Sequence, residues 1–108
     1  MLTARDILTM ATINGAHVAG VGDRTGSLTP GKQADIVLID ATALNVAPVI
    51  DPVAAVVLSA DVSNVETVFV AGAARKRDGR LVADVRRARD LVNASRDYLV
   101  GVAWKDKS

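Results

Sequence analysis

Apolar residues follow two different spacings along this chain, and the change between them separates helical ends from a strand-rich middle. The first helical segment carries small and aliphatic residues on one stripe: Ala4, Ile7, Leu8, Ala11 and Gly15. Thr3 can cap this helix, because Asp6 follows it at the spacing of a capping box. We therefore predict a helix that begins after Thr3 and ends at Gly20 and Gly22, with a kink or a restart at Asn14-Gly15.

A loop and a buried strand are predicted next. Residues 22–32 are rich in Gly, Ser and Thr, and Thr29-Pro30-Gly31-Lys32 has the residue order of a type II turn. The run from Ala34 to Asp40 is β-branched and apolar at successive positions, which is typical of a strand covered on both faces. We expect this strand to be the most buried in the molecule.

Two later segments predict helices. Asp51-Pro52 can open the first, because Asp caps well and Pro is tolerated at the first helical position. Residues 53–58 would follow, although their β-branched content equally permits a strand. Asp84 opens the second helix, and one stripe of it is apolar: Val85, Ala88, Leu91, Val92, Ser95, Tyr98, Leu99 and Val102. We expect that stripe to face inward and Trp104 to pack against a partner surface.

A hairpin is predicted between these two helices. Val65 to Ala71 has the composition of a strand, and Gly72 provides a turn before a weaker strand from Ala73 to Arg77. Asp78-Gly79 indicates a tight primed turn, followed by a last short strand at Leu81 and Val82. The segments together predict an α+β fold: a single domain with a small β-sheet flanked by an N-terminal and a C-terminal helix.

Composition excludes several classes of function. Thirteen basic and twelve acidic residues leave a net charge of +1, which gives no strong field for nucleic acid or an anionic membrane. The chain has no cysteine, so disulfides and thiolate metal sites are excluded. No apolar run approaches the roughly 18 residues of a membrane span. We expect a cytoplasmic protein without nucleic-acid or membrane partners.

Residues that could carry chemistry are sparse. His17 is the one histidine, whereas a catalytic zinc or iron site draws on two or more imidazoles together with carboxylates. A Ser or Thr nucleophile would also need His17 as its base. Asp35 and Asp40 bracket the predicted strand, and their five-residue separation places them on opposite faces. We interpret both as strand-end residues in contact with water.

Two further motifs have plainer interpretations than binding. Gly31-Lys32-Gln33 lacks the hydroxyl residue that completes a P-loop, so we interpret it as part of a turn. Arg75-Lys76-Arg77 with Arg80 forms a basic patch without interleaved aromatic residues, which is typical of a solvated hairpin tip. We therefore predict that this chain has no catalytic, cofactor-binding or metal-ligating residues.

The order of motifs along the chain resembles a known family. Ala11 to Ala16 reads A-T-I-N-G-A, Gly26 to Asp35 reads G-S-L-T-P-G-K-Q-A-D, and the apolar run Ile36 to Asp40 follows. This order resembles the C-terminal region of the amidohydrolase superfamily, in the branch of cytosine and guanine deaminases, imidazolonepropionase and triazine chlorohydrolases. Val65 to Gly72, with Asp78 to Leu81, resembles the hairpin that closes those enzymes. The resemblance covers about the first 82 residues.

The resemblance implies a division of the chain. Residues 1–21 would be helical structure at the end of a (β/α)8 barrel, residues 25–82 would be strands of a composite β-sandwich, and residues 84–103 would be the C-terminal helix. The metal ligands of the family lie upstream of this region, on barrel strands. Zinc or iron is therefore expected in a full-length parent enzyme, and no cofactor is expected in this chain.

The resemblance also implies a function. The chain would be the C-terminal structural part of a metal-dependent hydrolase that acts on carbon-nitrogen bonds other than peptides, such as nucleobase or ring amino groups. We expect it to be inactive alone, and whether it counts as an enzyme stays open. Its partner would be the rest of the parent hydrolase, or a second copy bound through exposed strands. The alternative is a free-standing, non-catalytic interaction or oligomerisation module.

Overall fold

The computed structural model describes residues 1–106, and it has the α+β architecture that the sequence predicts. Helix α1 has three consecutive parts, α-helical Ala4–Thr9, π-helical Met10–Asn14 and α-helical Gly15–Val18. Helix α2 begins as Pro52–Ala54 and continues as the π-helical turn Ala55–Ser59. No helix in residues 1–106 is long and apolar enough to cross a membrane.

One antiparallel sheet and one long helix complete the described part of the chain. The sheet has the strand order β1-β2-β3-β4. Its strands are β1 Ile36–Ile39, β2 Val65–Val70, β3 Ala73–Arg77 and β4 Arg80–Leu81. A 3-10 turn, Val62–Asn64, leads into β2. Helix α3 is Val85–Lys105. The second layer of a sandwich stays a prediction.

The N-terminal cap of α1 is confirmed. The amide of Asp6 donates to Thr3 Oγ1 over 3.1 Å, and the Thr3 amide donates to Asp6 Oδ2 over 2.9 Å, which completes a capping box. The predicted break at Asn14-Gly15 is present as a change from π-helical to α-helical geometry. Gly20, with φ of +76°, follows the helix and reverses the chain direction.

The predicted turns are also confirmed. The Lys32 amide donates to the Thr29 carbonyl over 3.1 Å, and Gly31 has φ of +93°, as the third residue of a type II turn requires. Both hairpin turns place two consecutive residues in the left-handed region, Ala71 with Gly72 and Asp78 with Gly79. This is the geometry of primed turns, which match the right-handed twist of the strands they join.

The expected burial of β1 is wrong. Val37 is 54% exposed and Leu38 is 49% exposed. The reason is that residues 1–106 cover the two faces of β1, from which its side chains project, only partly. The expected inward stripe of α3 is wrong for the same physical reason. Every residue of that helix is exposed, including Leu91, Leu99 and Trp104.

The chain has almost no hydrophobic core of its own. Among residues 1–106 only Val46, Asn64 and Thr67 are buried, and Val46 alone of these is aliphatic. The accessible surface is 8676 Å², whereas a compact monomer of this mass exposes about 5,700 Å². The radius of gyration is 19.5 Å, compared with about 13 Å for a compact domain of this length. The apolar faces are built to be covered by further polypeptide.

Candidate functional site

The residues considered for catalysis do not come together. His17 lies exposed near the end of α1, and Asp35 and Asp40 lie at the two ends of β1. Within residues 1–106 no group of three His, Cys, Asp or Glu side chains could hold a metal ion. The side chains present therefore do not fit a zinc or iron site, and we derive no chemical step through a metal. That the whole chain lacks site residues stays a prediction.

Lys32 holds the loop before β1 closed. Its Nζ donates to the carbonyl of Gly22 over 2.8 Å and to the carbonyl of Thr25 over 3.2 Å. Nearby, the Gln33 amide donates to the Arg24 carbonyl over 2.8 Å. An ammonium group has three donors and suits converging carbonyls. The lysine of the motif is therefore a structural residue, a role that its position in a turn did not reveal.

Asp35 joins the start of β1 to the distant β2–β3 turn. Its Oδ1 accepts the amide of Ala71 over 2.7 Å, and the Gly72 amide donates to the carbonyl of Ala34 over 3.0 Å. Ala71 has φ of +49°, a conformation that a residue with a Cβ rarely adopts. The carboxylate compensates part of that cost through a charge-assisted hydrogen bond.

Gly26 brings the loop directly onto α1. A Cβ at this position would lie 2.7 Å from the Cβ of Ala16 and 3.1 Å from the carbonyl oxygen of Thr12. The φ of +95° would strain any residue with a side chain, independently of that overlap. Gly26, the glycine of the G-S-L motif, therefore packs on the A-T-x-N-x-A helix. The two motifs are separate in the sequence and in contact in the structure.

Asn45 and Asn64 form a reciprocal, part-buried pair of side-chain hydrogen bonds. Asn45 Nδ2 donates to Asn64 Oδ1 over 2.7 Å, and Asn64 Nδ2 donates back to Asn45 Oδ1 over 3.1 Å. Asn64 is 2% exposed, and its Oδ1 also accepts the Asp61 amide over 2.9 Å. This pair fixes the irregular segment before α2 against the entry to β2. No motif or spacing in the sequence signals this contact, because the two residues lie 19 positions apart.

Asp40 and Asp61 cap local turns and have no part in an acid-base pair. Asp40 Oδ1 accepts the hydroxyl of Thr42 over 2.6 Å and its amide over 2.8 Å, and these bonds lower the pKa of Asp40. Hydrogen bonds from the hydroxyl and the amide of Ser63 lower the pKa of Asp61 in the same way. A general acid at neutral pH needs a raised pKa, so both carboxylates are poor candidates for that role.

An open groove of about 770 Å³ separates α1 from the sheet. Its lining is mostly apolar and comes from α1, the loop after it, β1 and α2: Leu8, Ala11, Leu28, Ile36, Ile39 and Val56. Asp35 is the titratable side chain in it, and that carboxylate is already bound to the Ala71 amide. The groove therefore presents a mainly apolar surface that another chain segment could cover.

Comparison with known proteins places this arrangement in a family. The model of the Amidohydrolase family matches residues 1–82, which is the extent of the motifs above. A 5-methylthioadenosine/S-adenosylhomocysteine deaminase from Teredinibacter turnerae is 39% identical over 98% of this chain and 22% of its own length. An S-triazine hydrolase from Gordonia rubripertincta is 38% identical over 72% of this chain and 16% of its own length.

A solved structure agrees with the sequence comparisons. An adenosine deaminase from Xanthomonas campestris, crystallised with bound zinc, superposes with a TM-score of 0.86 at 32% identity. The match covers 93% of this chain and 23% of that enzyme. The chain thus spans about a fifth of the length of the curated relatives it matches. On the family match across residues 1–82 and the motif contacts within them, this chain belongs to the amidohydrolase family.

Proposed function

We propose that this chain is the C-terminal structural segment of a metal-dependent hydrolase that acts on carbon-nitrogen bonds of nitrogen-containing rings. The observation that carries the proposal is the family match over residues 1–82, in which three motif residues make architectural contacts. Lys32 closes the loop, Gly26 seats it on α1, and Asp35 joins it to the hairpin. The segment supplies no reacting group and supports the polypeptide that does.

The names of the relatives suggest the substrate class. Two of the proteins compared are deaminases of adenosine-type compounds, and another is a triazine hydrolase. We propose that the parent enzyme replaces an amino group on a nucleobase or a similar ring by oxygen from water, with release of ammonia. The bound zinc of the Xanthomonas campestris enzyme supports zinc in the parent, or iron in its place, held by ligands outside this chain.

The proposal places the hydrolase in the cytoplasm. This cysteine-free segment would contribute no disulfide to the parent enzyme, which is compatible with a reducing compartment.

A chimera tests the proposed function. The chain would replace the matching 22% of the Teredinibacter turnerae deaminase, and deamination of 5-methylthioadenosine would be measured with added zinc. We expect activity within about tenfold of the parent deaminase, and no turnover by the 108-residue chain alone with zinc or iron. His17→Ala in the chimera should leave activity unchanged, because His17 is exposed and belongs to no group of three metal-ligating side chains within residues 1–106.

Two results would contradict the proposal. Metal-dependent turnover by the isolated chain would show that it holds a site of its own. A folded, zinc-loaded chimera without activity would show that this segment does not support the family's chemistry.

A further inference from the structure

We propose that the open edge of β1 binds β1 of a second copy of this chain in antiparallel orientation. This goes beyond the proposed function, because it concerns pairing between two copies of this chain. The edge and the apolar groove beside it form one continuous surface, since Ile36, Val37 and Ile39 line the groove. A strand added at the edge would place its own apolar side chains there, against α1.

The two edges of the sheet are built differently. The β4 edge is only two residues long, and Arg80 lies in it beside Lys76 and Arg77 of β3. Short strands and cationic side chains are common means of preventing edge-to-edge pairing. The β1 edge is four residues of Ile, Val and Leu with no charge, no proline and no covering element in residues 1–106. The sheet is therefore protected at one edge and open at the other.

Backbone direction identifies the groups that are available for pairing. The Asp40 amide donates to the Asn64 carbonyl over 2.7 Å, and the Ala34 carbonyl accepts from Gly72, so even-numbered residues of this segment face β2. Successive residues of a strand alternate in direction. The extra residue of the irregularity in the β1–β2 ladder lies on β2, where Leu38 and Ile39 pair with Thr67 and Val65, so β1 keeps its alternation. The N-H and C=O groups of Val37 and Ile39 therefore point away from the sheet.

One register would pair these N-H and C=O groups in hydrogen bonds without placing two carboxylates opposite each other. If Val37 pairs with Val37 of the other copy, Ile39 lies opposite Asp35 and the outward backbone groups of both strands meet. Asp40 then lies opposite Ala34, so no two carboxylates face each other. The Asp35 carboxylate is already bound to the Ala71 amide. The pairing is self-complementary, as an interface across a two-fold axis must be.

The exposed area is large enough for a stable dimer. The chain exposes 8676 Å², about 2,900 Å² more than a compact monomer of its mass. Obligate homodimers bury about 2,000 Å² or more in total, so two copies could cover that much by using part of their surplus. Helix α3 is another exposed apolar surface, but Arg89 and Arg96, of which Arg96 pairs with Asp97, flank its stripe and would face each other across an antiparallel helix pair. The uncharged β1 edge avoids that repulsion.

Single cysteine variants test the register, because the natural chain has no cysteine. Opposite residues of a hydrogen-bonded antiparallel pair have Cα atoms about 5.5 Å apart, within the usual range for a disulfide. We expect Val37→Cys to form a covalent dimer under mild oxidation. The matched control is Val70→Cys, which is 47% exposed on β2 and lies inside the sheet. It should form the covalent dimer at least tenfold more slowly.

Mass in solution provides the second measurement. We expect a dimer by light scattering at about 50 µM, a monomer for Val37→Lys, and a dimer for Val70→Lys, with unchanged circular dichroism in all three. A monomeric natural chain would overturn the inference, as would equal cross-linking of the two cysteine variants. A monomer that instead forms a one-to-one complex with a deaminase lacking the matching segment would assign the edge to the rest of the hydrolase. If the chimera is active and the 108-residue chain is a monomer, the dimer is excluded and the proposed function still stands.

Discussion

The carboxylate of Asp35 accepts the amide of Ala71 over 2.7 Å and so joins two turns that lie 36 residues apart in the sequence. Asp35→Ala should lower the free energy of unfolding by about 1–2 kcal/mol, because the Ala71 amide loses its acceptor while keeping its positive φ. Asp35→Asn keeps an acceptor oxygen and should recover more than half of the loss. Urea denaturation of the chain measures both. Equal stability of the Ala variant and the natural protein would contradict this role.

Gly26 and Gly31 form a matched pair for testing steric exclusion. Both have a φ near +95°, but a Cβ on Gly26 would meet Ala16 at 2.7 Å, whereas nothing lies within 4 Å of a Cβ on Gly31. Gly31→Ala should cost about 1–2 kcal/mol of stability through backbone strain alone. Gly26→Ala should cost at least about 1 kcal/mol more, because steric overlap adds to the same strain. Thermal unfolding of the two variants gives the comparison, and equal losses would exclude the proposed contact.

Removal of the Lys32 ammonium should open the loop locally. Lys32→Met keeps most of the side-chain length and removes the donors to the Gly22 and Thr25 carbonyls. Hydrogen exchange of the Gln33 amide, which is bonded to Arg24 across the same loop, should become at least tenfold faster. Exchange in β2 should not change. Unaltered protection at Gln33 would mean that the backbone closes this loop without the lysine.

The asparagine pair should behave as a coupled unit. Asn45→Ala and Asn64→Ala each leave a polar group without its partner, and Asn64 is the more buried. A double-mutant cycle should give a coupling energy of about 0.5–3 kcal/mol, measured by urea denaturation. Additive losses would show that the two amides act independently.

Acid should weaken the turns that Asp40 and Asp61 cap. Hydrogen bonds from Thr42 and Ser63 lower both pKa values in the folded chain below the ordinary 3.8. A lowered folded pKa means that the stabilisation is complete above pH 3.8 and is lost as the pH falls through the lowered value. The urea midpoint should therefore decrease below pH 3.8, and less so in Asp40→Asn with Asp61→Asn. An unchanged pH profile in that double variant would contradict the assignment.

Local features of the fold follow from the sequence because their causes are local. The Thr3–Asp6 cap and the positive φ at Gly31, Gly72 and Gly79 depend on residues at most three positions apart. The family motif was also readable, since its residue types occur in a distinctive order. These are the parts of the prediction that the structure and the comparisons confirm.

Burial and long-range polar contacts were not predictable in the same way. The apolar residues of β1 and α3 indicate that those surfaces are to be covered, but apolarity does not tell which polypeptide covers them. Val37 and Leu99 are therefore exposed in the described chain. The Asn45–Asn64 pair joins positions 19 residues apart, and no periodicity signals such a contact. The contacts of Lys32 were missed because its carbonyl partners are unrelated to side-chain identity.

The close contact of Gly26 with Ala16 explains why this family can be recognised from a segment that packs backbone against backbone. The pattern that identifies kinship most readily is the one that holds two stretches of backbone together, and it is separate from any reacting group. A chain can therefore contain a recognisable family motif while other segments supply the reacting groups. The activity of such a protein has to be predicted from its metal ligands and general bases, in whichever segment they lie.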